Sequence, residues 1–190
     1  MDRLAEWRAS ALAQLARERY RRCEIALHVQ NVKNGDPVGD KIELQKWLKQ
    51  LLTHAGPATA LVHGVAGSGK SSALTSAAEV LWQKCDLQED GALVPIFVSL
   101  PALRDPVTMA IDETLEAWGF SRRNIEELLR SKYRFVILLD AVDEVKEKHR
   151  QRHLAATNRL DRWGTATIVL FSARTEMSTG CDFFAQCPER

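Results

Sequence analysis

Cysteine is scarce and scattered in this chain. Its four cysteines, Cys23, Cys85, Cys181 and Cys187, show no zinc-ligand spacing, which argues against a metal-stapled fold and reads as isolated thiols. Charge of one sign is missing as well. Twenty-six Lys and Arg against twenty-five Asp and Glu leave a formal net charge of +1, so bulk electrostatics indicate neither nucleic-acid nor membrane binding. No apolar run approaches the roughly 18 residues needed to span a bilayer. Internal repeats and low-complexity tracts are absent too. The arginine-rich N-terminus carries Asp2, Glu6 and Glu18 and no uninterrupted apolar core, so it reads as neither a signal nor a transit peptide. What remains, 45% apolar and 27% charged over 190 residues, suffices for one substantial core.

Within that ordinary composition lies GVAGSGKS. Gly64, Val65, Ala66, Gly67, Ser68, Gly69, Lys70 and Ser71 satisfy G-x-x-x-x-G-K-[ST], and Ser72 follows. Thr59 to His63 reads as a buried strand before the motif, and Ser72 to Lys84 as a helix after it. Glycines allow the backbone to wrap closely around phosphates where side chains would collide. The loop amides and the helix N-terminus then face the anion. Lys70 is placed to reach the β- and γ-phosphates, and the Ser71 hydroxyl to coordinate Mg2+.

A second motif answers the first. Phe135 to Leu139 is a continuous apolar run of the kind found in a central parallel strand, and it ends in Asp140. A carboxylate at that end of a strand lies at the crevice where open α/β sheets bind ligands, next to Ser71 as a magnesium holder. Asp143 and Glu144 follow, one of them placed to orient or deprotonate the attacking water. Taken alone, the same acids could simply be turn residues after a strand; their order after Lys70 favours the chemical reading.

The pattern D-[small]-x-D-E at 140 to 144 resembles the Walker B variant of NACHT-type signal-transduction ATPases, a branch of the STAND class of P-loop proteins. In typical AAA+ ATPases a glutamate directly follows the magnesium aspartate; here Ala141 stands there. Val94 to Leu100 is similar to the family's second strand, and Thr167 to Arg174 to its fourth, with Ser172 and Ala173 preceding the arginine. The resemblance spans roughly residues 40 to 176 and implies a cytoplasmic ATP/ADP switch that self-associates through this domain. By the same resemblance Asp140 is the magnesium aspartate, Asp143 the catalytic carboxylate, Glu144 its partner and Arg174 a γ-phosphate sensor. No N-K-x-D motif points to a GTPase, and no L-S-G-G-Q-like signature points to an ABC-type ATPase. A scaffold that holds nucleotide with little hydrolysis is the competing function.

The expected fold is α/β, a three-layer P-loop NTPase with a parallel sheet in strand order 1-4-3-2. The chain stops at Arg190 before the family's fifth strand, which leaves the P-loop strand as a bare edge and suggests a fragment of a longer protein. Residues 1–39 are expected to form an N-terminal helix and linker, and 40–190 the NTPase domain. Residues 2 to 22 read as an amphipathic helix, packed on the domain or serving as a partner-binding arm. Residues 31 to 40 hold Asn34-Gly35 and Asp36-Pro37 and read as a loop, after which Asp40 caps a helix over 41–54 with Ile42, Leu44, Trp47, Leu48 and Leu51 inward. Asp105-Pro106 is expected to start a helix ending near Gly119, Ser121 to cap another, and residues 144 to 163 to form one charged helix with Leu154 and Leu160 inward. The basic run Lys146 to Arg152 reads as a solvated face.

Overall fold

Valine, isoleucine and leucine crowd the segments that become the central strands, and their burial on both faces sets the architecture. The computed structural model describes residues 2–19, 28–33, 36–53, 56–145, 154–164 and 167–174. One six-stranded sheet contains β1 (His28–Lys33), β2 (Asp36–Glu43), β3 (Ala58–His63), β4 (Leu93–Ser99), β5 (Arg134–Asp140) and β6 (Ile168–Ala173), in the order β2-β1-β3-β6-β5-β4. β3, β6, β5 and β4 are mutually parallel, and β1 is antiparallel to both β2 and β3.

Alternation along each parallel strand divides the core. Val136 and Leu138 of β5 and Ile168 and Leu170 of β6 join Val62 of β3 against α2 (Leu44–Thr53) and α3 (Lys70–Lys84). Phe135, Ile137, Leu139, Val169 and Phe171 face the opposite way, toward α4 (Ala110–Ala117), α5 (Arg122–Leu129) and α6 (Leu154–Thr157). The result is helices, sheet, helices. The expected three layers are therefore present, but the sheet differs from the expected one at the β3 edge, which is not bare. β1 pairs there through Val29↔Val62, Gln30↔Leu61 and Asn31↔Ala60.

That hairpin corrects the loop expected over residues 31 to 40. Lys33 pairs with Asp36; Asn34-Gly35 lies outside the described residues. Pro37 is tolerated because β2 is the edge strand and needs no outward N–H bond. Asp40 lies in β2, so it caps no helix, and α2 begins only at Leu44. The expected division between residues 39 and 40 also falls inside β2.

Two further helices depart from expectation. The Asp105 carboxylate accepts from the N–H groups of Val107 and Thr108, each at 3.0 Å, in a turn that delays α4 to Ala110. Asn158 Oδ1 then takes the Ala110 N–H at 2.8 Å. The continuous helix over 144–163 is not formed: α6 ends at Thr157, and Arg159 at φ 51° breaks the chain before a 3-10 turn, Leu160–Trp163. Leu154 and Leu160 are nonetheless buried. Lys146 to Arg152, and with them the basic run, lie outside the described residues. Ser121 caps α5 as expected, its hydroxyl accepting from the Asn124 N–H in a reciprocal capping box.

α1 (Asp2–Arg19) packs on this core through Leu4 and Trp7, both buried. Trp7 stacks on Trp118 at 4.5 Å and meets Trp82 and Phe120 edge-on at 4.7 and 5.5 Å, geometries that suit the ring quadrupoles. Trp82 belongs to α3 and Phe120 follows α4, so one side chain bridges both helix layers. Among the described residues no helix is long and apolar enough to cross a membrane. Removing the bridge should be expensive: Trp7→Ala is expected to destabilise the chain by about 3–5 kcal/mol, read as a lower urea midpoint.

Candidate functional site

Parallel strands place their carboxyl ends on one rim, and here the rim carries most of the residues singled out by sequence. His63 pairs with Ala173, Val62 with Ser172, and Ser99 with Asp140. The chain leaves β3 directly into the loop Gly64–Gly69, while β6, next to β3, separates it from β5 and Asp140.

The loop is built by its glycines. Gly67 at φ 73° and Gly69 at φ 85° hold left-handed conformations that side chains disfavour, and Gly69 immediately precedes α3. At Gly64 the constraint is contact: a Cβ there would lie 2.2 Å from Ser68 Oγ. Ser68 Oγ is itself buried with no hydrogen-bond partner among the described residues. Lys70 Nζ donates to the carbonyls of Gly64 at 2.8 Å and Val65 at 2.9 Å, folding its ammonium back over the loop. Ser71 and Ser72 are exposed on the first turn of α3, and Val65, Ala66 and Gly67 are exposed at the loop tip.

Across β6, the acidic cluster is more enclosed. Asp140 and Asp143 are buried and Glu144 is exposed. Buried carboxylates need compensating partners. Asp140 Oδ1 accepts from Ser172 Oγ at 2.8 Å. Asp143 Oδ2 meets Arg174 Nε at 2.9 Å, and Arg174 Nη2 lies 3.6 Å from Glu144 Oε1. Ser172 near the end of β6 and Arg174 just after it serve the same rim because both stand at the strand's carboxyl end.

Between the two acids the chain turns sharply. Ala141 sits at φ 58°, ψ 49°, where a non-glycine residue is strained, and its N–H donates to Ser172 Oγ at 2.9 Å. A 3-10 turn, Val142–Glu144, follows and aims the acidic pair back at β6. A small residue at position 141 thus answers a backbone demand.

The structure therefore joins Asp140 to Ser172, and Asp143 and Glu144 to Arg174. It sets Lys70 on the loop's own carbonyls, not on an acid. Ser172 is the residue to which sequence reasoning gave no role; its signal was a lone hydroxyl near the end of an otherwise apolar strand.

The family model of the NACHT domain matches residues 58–176. No curated protein matches the chain.

The strain at Ala141 is directly testable. Ala141→Gly is expected to raise stability by about 0.5–1 kcal/mol, the left-handed penalty less the entropy of a freer unfolded chain, seen as a higher urea midpoint at unchanged slope. Ala141→Val should lower it, because β-branching aggravates a positive φ.

Proposed function

The chain belongs to the NACHT domain family, and from that premise we propose that it is an ATP-binding, slowly hydrolysing nucleotide switch of a signalling or defence protein. Membership makes it a nucleotide-binding NTPase module. The preference for ATP, the hydrolysis, nucleotide-controlled self-association and a cytoplasmic setting are the proposal.

One observation carries the reading: a glycine-built loop at the end of β3 and the buried Asp140 and Asp143 after β5 flank β6, whose Ser172, with Arg174 just beyond the strand, grips those acids. In this reading the loop N–H groups, Lys70 and the start of α3 bind the phosphates. The donors available for magnesium are the Asp140 carboxylate and the Ser71 hydroxyl, hard oxygen ligands that suit it. Among the described residues no three His, Cys, Asp or Glu side chains converge as a metal cage, and a magnesium shared with phosphates and water needs none. When bound, that ion would neutralise charge on the phosphate oxygens. Asp143, with Glu144 as its partner, takes the proton of a water whose oxygen bonds to the γ-phosphorus, as the bond to the β-bridging oxygen breaks and ADP leaves. Arg174 turns its guanidinium toward the γ-phosphate.

A nucleotide-holding scaffold has an observation in its favour too. Arg174 Nε holds Asp143 Oδ2 at 2.9 Å, which commits the proton acceptor to a cation.

Lys70→Ala is expected to abolish ATP and ADP binding on either reading. Asp143→Ala separates them. It is expected to retain ATP while phosphate release slows by about a hundredfold or more, and unchanged turnover would remove Asp143 from the chemistry. Competition against GTP tests the base preference, with equal affinity counting against ATP specificity.

A further inference from the structure

Ser172 has no exposed surface, yet it is polar and stands on a strand whose other residues are apolar. Its hydroxyl is used both as donor and as acceptor, on the end of β5 and the residue after it. Its hydroxyl donates to Asp140 Oδ1 at 2.8 Å and accepts from the Ala141 N–H at 2.9 Å. One oxygen therefore grips the last residue of β5 and the strained residue after it.

The two bonds do different work. The bond to Oδ1 occupies one carboxylate oxygen and resists rotation of the carboxyl plane, which otherwise turns freely over a broad torsional range. The bond from Ala141 holds the left-handed turn in place and thereby fixes the backbone from which Asp140 projects. Arg174, two residues along, takes Asp143 and Glu144 instead, so the hydrogen bond to the Asp140 carboxylate comes from the serine and not from the arginine.

We propose that Ser172 is a positioning residue for the magnesium aspartate: it pre-orients Asp140 to meet the ion and touches neither the ion nor the nucleotide. The assignment rests on the nucleotide-switch reading above. Ligating carboxylates are commonly held by such outer hydrogen bonds, and their loss typically costs about 10–100-fold in metal affinity.

The experiment measures equilibrium binding of a fluorescent ADP analogue to the full chain, in excess magnesium and in EDTA; the ratio of the two affinities is the magnesium gain. Ser172→Ala is expected to cut that gain at least about tenfold while leaving the EDTA affinity unchanged. Ser172→Cys refills the volume but offers only a weak donor and acceptor, and it should lose the gain as Ala does. A wild-type gain in Ser172→Ala, restoration by Cys, or an equal loss in magnesium and EDTA would each overturn the assignment, the last two by revealing a role in packing. Absence of nucleotide binding by the unmodified chain would instead sink the nucleotide reading itself, and this one with it. A variant that loses the gain while the unmodified chain keeps it supports both.

Discussion

The parallel pairing of β3, β6 and β5 is the constraint on which everything else depends. Their registers match Leu61 with Phe171 and Leu139 with Phe171, so all three strands reach their carboxyl ends at the same level. Residues distant in sequence, from Gly64 to Arg174, meet on that rim for this reason alone. The pairing in turn requires apolar side chains on both faces, because helices cover both. Hydrophobic burial therefore places polar chemistry that it does not itself contain.

Polar interactions then refine the rim. Asp140 and Asp143 are carboxylates taken largely out of water, which is tolerable only where hydrogen bonds or opposite charge compensate. β6 and the residue after it supply one of each, a hydroxyl from Ser172 and a guanidinium from Arg174. Ala141 accepts backbone strain so that the acidic pair can turn back to meet the arginine. Strain of this kind is retained where surrounding contacts over-determine it, and here the Ala141 N–H bond to Ser172 is one such contact.

The legible parts of the fold were those with strong local signals. β3 and β5 were legible as apolar segments beside their motifs, β4 and β6 through resemblance to the family's second and fourth strands, the P-loop as a glycine pattern, and the start of α5 as a capping serine, Ser121. The hairpin β1–β2 was not legible, because HVQNVK and DPVGDKIE lack a clean apolar alternation and the second contains proline and glycine. It becomes a pair of strands because the edge of β3 offers unpaired backbone groups, a tertiary circumstance. Likewise the helical periodicity around Leu154 and Leu160 was real as burial and misleading as continuity. Asn158 spends its side chain on Ala110, Pro106 and Val107 across the fold, and Arg159 adopts a positive φ beside it.

By itself the sequence determined which residues are candidates for phosphate chemistry, since such a loop needs its glycines, lysine and serine wherever it stands, and that the strand ending in Asp140 is central. Only the tertiary structure decided how the acids are held: that Ser172 grips Asp140 while Arg174 grips Asp143. The reason is physical. Glycine conformation and apolar burial are properties of short segments, whereas a hydrogen bond between β5 and β6 depends on a register set by the packing of the whole sheet.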